Sequence, residues 1–222
     1  MFPLNYAVLV VGDPSAGMFE FCCYLGSTYL DNGERVVFLE ANTSPDQVRQ
    51  QMKEYGVDAF EYEIDGRLVL IDCYTPSSSR DYDPSVLRAT NLNLEEVMQR
   101  VLEGIDRVGG PPVRVLFDSL TPFHMNYDSR VVGKFFTDLA TRVKANGAMT
   151  CAIHRGILHE DQIEYLSSLA DGVIEMMVDH EFKRYVRIKR FRGLDVTPRW
   201  VPFEFEPSEG TEDGAFLSWD RD

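Results

Sequence analysis

Short apolar runs rich in β-branched residues recur along the chain, each followed by a segment whose apolar residues repeat at helical spacing. A strand that is apolar throughout has no solvent face. It belongs in a sheet covered on both sides, and a helix between two such strands makes them parallel. Residues 6–11 (YAVLVV), 35–40 (RVVFLE), 68–73 (LVLIDC), 113–118 (VRVLFD) and 148–153 are strands of this kind. The helices between them carry their own start and stop signals. The first, 18–30, stops at Asp31, Asn32 and Gly33. The second opens on Ser44, with Pro45 in the first turn and Gln47 completing a capping box, and ends near Gly56. A third starts at Asn93 and sets Val97, Val101, Ile105 and Val108 on one face before Gly109 and Gly110. A fourth, capped by Asp128 or Ser129, carries Val132, Phe135, Phe136, Leu139 and Val143. Pro, Ser and Asp mark 75–85 as a mobile loop, and 120–127 reads as a short connection. After a short helix at 161–169, the runs 172–178 and 184–191 lie close enough to form a hairpin, followed by a last strand-like run at 200–205. The expectation is an α/β protein: a three-layer fold with a mainly parallel sheet flanked by helices and an antiparallel C-terminal edge. Residues 1–205 form one domain, and 206–222 an acidic tail, partly ordered at best.

Charge narrows the partners. With 22 basic and 36 acidic side chains the formal charge is −14, which argues against generic binding to nucleic acid or to an anionic membrane. Cys22, Cys23, Cys73 and Cys151 sit inside apolar runs without CxxC spacing, as buried thiols of a reducing compartment do. No apolar run approaches the roughly 20 residues of a membrane span, and the N-terminus lacks the basic-then-apolar order of a signal peptide. The expected location is the cytoplasm, with no membrane partner.

The first strand ends at Gly12, and Gly12-Asp13-Pro14-Ser15-Ala16-Gly17-Met18-Phe19 leads into a helix. That is the layout of a P-loop, G-x-x-x-x-G-K-[S/T]. Glu40 ends the second strand, the capped helix at Ser44 follows, and Asp118-Ser119 ends the fourth strand. Over nearly the whole domain this order resembles the RecA-like ATPases, specifically their KaiC-like branch. The resemblance implies a RecA-like fold. It implies that the acid ending the second strand activates water and that the Asp-Ser pair is a Walker B. It also implies that a late Lys-x-Arg-Gly motif, here Arg190-Phe191-Arg192-Gly193, reaches a neighbouring subunit's nucleotide. Relatives form rings, so the implied partners are further copies of this chain or a KaiC-like relative.

The departures fall on the chemistry. A P-loop lysine neutralises phosphate charge and the following hydroxyl ligates magnesium; Met18 and Phe19 do neither. Glu40 is followed by Ala41, where the branch usually has a second acid. Asp13 stands inside the loop, where its carboxylate either repels phosphate or folds inward to satisfy the loop's own donors. The favoured expectation is therefore a non-catalytic regulatory or scaffold subunit, with Glu40 and Asp118 vestigial. The alternatives are an atypical ATP-binding protein or weak ATPase using arginines in place of the P-loop lysine, with ATP or ADP held without assigned magnesium ligands, and a recombinase-like DNA-binding protein. Gly12, Asp13, Pro14, Ser15, Ala16, Gly17, Met18 and Phe19 are the candidate nucleotide-binding residues, and Arg190 and Arg192 the candidate inter-subunit ones.

Other features have plain structural readings beside the functional ones. Asp118 and Glu40 at strand ends are also the carboxylates that accept backbone hydrogen bonds there. Lys183, Arg184, Arg187, Lys189, Arg190 and Arg192 form a basic run that serves either a partner contact or protection of an edge strand; strict alternation puts Val186, Ile188, Arg190 and Arg192 on one parity. His124, His154 and His159 have no metal-ligand spacing, so no metal site is assigned. His154-Arg155 does follow the fifth strand at its carboxyl end, where α/β sheets bind ligands. Ser77, Ser78 and Ser79 beside Arg80 are candidate phosphate acceptors, and the acidic tail is a candidate partner for the basic run.

Overall fold

The computed structural model describes residues 2–76 and 83–205. The proposed phosphate acceptors Ser77, Ser78 and Ser79, with Arg80 beside them, and the tail 206–222 lie outside the described residues. Strand β1 (Ala7–Gly12) leads to helix α1 (Met18–Asp31), β2 (Arg35–Glu40) to α2 (Pro45–Glu54), and a short α3 (Ala59–Ile64) precedes β3 (Leu68–Asp72). Then come β4 (Leu87–Arg88), α4 (Leu94–Arg107), β5 (Val113–Asp118), α5 (Thr121–His124), α6 (Ser129–Lys144), β6 (Gly147–His154) and α7 (Glu160–Leu169). The chain closes with β7 (Gly172–Val178), β8 (Arg184–Phe191) and β9 (Val201–Pro202). The sheet runs β4-β3-β2-β5-β6-β1-β7-β8-β9. It is parallel from β4 to β7, and the β7–β8 and β8–β9 pairs are antiparallel. This is the expected RecA-like layout.

Alternation along the strands sorts side chains into two cores. Leu9, Val11, Val115, Phe117, Met149 and Ile153 pack against α4, α6 and α7 on one face, and Val8, Val10, Phe38, Leu116 and Met176 pack against α1 and α2 on the other. Every residue of β1 and β5 is buried; the run of β1 is apolar throughout, and β5 buries Arg114 by pairing it with Glu34 at 2.6 Å. The capping box at Ser44 forms with Gln47, and Asn93 and Asp128 cap α4 and α6.

Several boundaries differ from the sequence expectation. Helices α3 and α5 span less than two turns, too little for periodicity to register. The two-residue β4 pairs with Ile71 and Asp72 where no strand was expected, and only Val201–Pro202 of the run 200–205 is strand.

The parity expected for β8 is overturned. Ile174 opposes Ile188 but Val173 opposes Arg190, so Lys189 is an extra residue and the strand is bulged there. Val186 and Ile188 share a face, and the bulge turns Arg190 to the opposite one, leaving Phe191 to join Val186 in the core beside α1.

Phe117 holds the strand that ends in Asp118, edge-on to Phe123 at 5.6 Å and to Phe135 at 6.5 Å between ring centroids. Phe117→Ala is expected to cost about 3–5 kcal/mol, read as a lower urea midpoint at unchanged slope.

Candidate functional site

Parallel strands deliver their carboxyl ends to one edge of the sheet. In the pairing register Glu40 lies beside Asp72 on β3 and Asp118 on β5, and Gly12 lies between His154 on β6 and Met176 on β7. The fold thus brings the loop residues 12–19, Glu40, Asp118 and His154 to the same edge.

The loop is tight. The Ala16 N–H donates to the Asp13 carbonyl at 2.9 Å, the Asp13 N–H to the Met176 carbonyl at 3.3 Å, and the Arg155 N–H to the Gly12 carbonyl at 2.7 Å. Pro14 and Ser15 are exposed at its tip, while Ala16, Gly17 and Met18 are buried. Gly17, at φ 84°, is the N-cap of α1, a conformation that suits glycine because it has no Cβ. No side chain caps this helix, so the expectation that Asp13 folds inward to satisfy the loop's donors is not met. The backbone turn through Asp13 is closed by its carbonyl instead. Met18, in the lysine position, turns into the apolar core. A Cβ on Gly12 would lie 2.5 Å from its Sδ, so that glycine makes room for Met18.

The carboxylates are buried and differently supported. Glu40 Oε1 accepts the N–H groups of Asn42 at 2.7 Å and Thr43 at 3.1 Å, whereas Oε2 is buried without a partner. Asn42 Nδ2 donates to Asp118 Oδ1 at 3.3 Å and to Ser119 Oγ at 2.9 Å. Burial first, then the Asp118 charge, holds the Glu40 carboxyl well above its usual range against those backbone donors. Burial, with the Glu20 charge second, pushes Asp118 up to about 7 despite the Asn42 hydrogen bond. Asp72 is different, since its Oδ1 accepts from the N–H groups of Tyr74 and Thr75 at 2.9 and 2.8 Å.

His154 adjoins this group. The Thr121 hydroxyl accepts from the His154 backbone N–H at 2.9 Å and lies 3.1 Å from Nδ1, with Ser119 Oγ at 3.4 Å. Burial lowers the imidazole pKa and keeps the ring neutral. Neighbouring Arg155 is engaged by the buried Glu175 at 3.0 Å, which Arg187 also holds at 2.6 Å.

Arg190 and Arg192 sit at the far end of β8 from the loop, because the antiparallel strand pairs Arg184 with Val178 and Phe191 with Gly172. Arg190 donates to the carbonyls of Ser167 and Ala170, closing the end of α7, and Arg192 pairs with Asp171 at 2.7 Å. The structure places Arg184 at the loop instead. A Cβ on Gly17 would lie 3.3 Å from its Nε and 2.8 Å from the Phe205 ring. Asn42, Thr121, Arg184 and Phe205 were not singled out by sequence as site residues. For Asn42 a signal existed in the polar turn directly after the acid that ends β2.

A family model described as the KaiC ATPase matches residues 1–212. The chain belongs to the KaiC family. Among the proteins similar to it, a UPF0273 protein of Methanopyrus kandleri is 26% identical over 209 residues, covering 91% of this chain and 81% of that protein. The circadian clock protein KaiC3 of Synechocystis is 22% identical over 221 residues, and this KaiC-family chain spans 41% of its length. The crystal structure of a KaiC-like protein from Pyrococcus horikoshii superposes with a TM-score of 0.71 at 18% identity, covering 98% of this chain and 91% of that one, which shows the shared fold. Among the described residues no helix is long and apolar enough to cross a membrane.

The raised Asp118 pKa fixes the sign of a pH effect. Its folded value of about 7 exceeds the unfolded value near 3.8, so the native state takes up the extra proton. The contribution of this group to stability is full below about pH 4 and lost as pH rises through 7. Asp118→Asn is expected to be more stable than wild type at pH 8, by on the order of 1–3 kcal/mol, with the difference vanishing toward pH 4 in urea unfolding.

Proposed function

We propose that this member of the KaiC family is non-catalytic and works as a regulatory or scaffold subunit, through self-association or pairing with a KaiC-like relative. The observation that carries the reading is Met18. In the position of the phosphate-neutralising lysine there is a thioether, and it is packed in the core against Gly12. A change of rotamer gives such a side chain no charge. Phe19 offers magnesium no hydroxyl, so the developing charge of phosphoryl transfer lacks both of its usual partners. The acids that remain point the same way. With the Glu40 and Asp118 pKa values raised together, the pair favours carrying a proton near neutral pH, and a protonated carboxyl is a poor base for water. A large, mainly parallel α/β frame remains available for association.

Purified protein given ATP and magnesium is expected to release phosphate no faster than a reaction without protein. Steady release that disappears in Glu40→Gln would overturn the non-catalytic reading. Sedimentation velocity of the chain alone, and mixed with a KaiC-like relative, is expected to reveal species larger than the monomer; a monomer in both would remove the subunit role.

A further inference from the structure

Resting on the reading that this chain self-associates, we propose that Phe182, at the tip of the β7–β8 hairpin, inserts into the cleft between α4 and α6 of a second copy. Phe182 is 86% exposed, and its φ of 62° lies in the left-handed region that aromatic residues rarely adopt. The turn is built to hold it there. Asp179 Oδ1 accepts the N–H groups of Glu181 and Lys183 at 2.8 and 2.9 Å, and the Tyr185 hydroxyl donates to Oδ2 at 3.2 Å. The Asp179 carbonyl accepts the Phe182 N–H at 3.1 Å. A single exposed apolar residue is ordinary. One locked in strained backbone at a braced tip points to a role outside the chain's own core.

The cleft has the matching properties. Its volume is about 300 Å³, and Leu94, Met98, Val131 and Phe135 give it an apolar lining, with Val131 46% exposed. A buried aromatic ring is among the strongest anchors a contact can have. Glu95 and Arg142 stand on the rim, and among the described residues no ion pair engages either. On the hairpin Glu181 and Lys183 flank Phe182 and pair with each other at 2.9 Å, an exposed pair of little worth. In the proposed contact Lys183 faces Glu95 and Glu181 faces Arg142, so the charges are complementary. The chain cannot fill its own cleft. Gly104 of α4 lies against Val37 of β2, and Phe135 of α6 against Phe117 of β5, so the cleft lies over β2 and β5. Three strand spacings of about 4.8 Å each separate β5 from β7 in the sheet. The occupant is therefore another molecule, and because ring and cleft are different surfaces the contact is heterologous and repeats head to tail.

The test is sedimentation velocity of the full chain. Wild type is expected to form species larger than the monomer. Phe182→Ala, which removes the ring, and Val131→Arg, which fills the cleft, are each expected to weaken association at least tenfold, with melting curves reporting an intact fold. Mixed together, the two variants retain one intact contact, the Phe182 of the Val131→Arg chain in the open cleft of the Phe182→Ala chain. The mixture is therefore expected to give a heterodimer and nothing larger. If Val131→Arg does not fold, Leu94→Glu blocks the same cleft and takes its place. A monomeric wild type, assembly unchanged in the folded variants, or a mixture that stays monomeric would each overturn the assignment. Assembly that persists in both variants leaves the subunit reading standing, whereas a chain that is monomeric alone and with a KaiC-like relative removes both.

Discussion

A parallel sheet buried on both faces places all its strand ends at two edges, and everything distinctive about this protein follows from that constraint. From β4 to β7 the strands point one way, so Gly12, Glu40, Asp72, Asp118 and His154 arrive together although as many as 142 positions separate them in the chain. The hydrophobic burial that builds the two cores also desolvates this row of polar ends. Their pKa values, hydrogen bonds and unmatched atoms are consequences of the sheet.

The row is supported unevenly, and the unevenness is informative. Asp72 spends an oxygen on two N–H groups of the following turn, as carboxylates at strand ends commonly do. Glu40 does the same with one oxygen and leaves the other buried and bare, and burial followed by the Asp118 charge raises its pKa, while burial followed by the Glu20 charge raises that of Asp118. A buried polar atom without a partner is costly, and it persists here at the same edge of the sheet as the loop from Gly12 to Phe19, whose Met18 is packed in the core. The fold and the family are shared with the KaiC ATPases, whereas the reading of function proposed for this chain rests on the identities of residues 18 and 19.

The second face of the site comes from the antiparallel edge. Reversal of direction at the β7–β8 hairpin returns Arg184 to the loop and carries Arg190 and Arg192 to the opposite end, where they close α7 and pair with Asp171. One bulged residue, Lys189, decides which face Arg190 serves. A basic run that looks uniform along the chain is divided in space into one arginine at the loop and several locked into the protein's own ion pairs.

The sequence by itself determined the long strands β1 to β3 and β5 to β8 and the helices α1, α2, α4, α6 and α7, because apolar β-branched runs and capped helical periods are local signals that these elements obey to within a residue or two, whereas β4, α3 and α5 are too short to carry one. It determined as well that Gly12 to Phe19 lacks the lysine and hydroxyl of the P-loop pattern, since that is a matter of identity and spacing. Tertiary structure decided what sits beside that loop. The approach of Arg184 and Phe205 to Gly17, the sharing of Asn42 between Asp118 and Ser119, and the hydroxyls around His154 depend on strand order and on one bulge. Strand order reflects how two helical layers pack over a common sheet, and no local window of the chain contains that information.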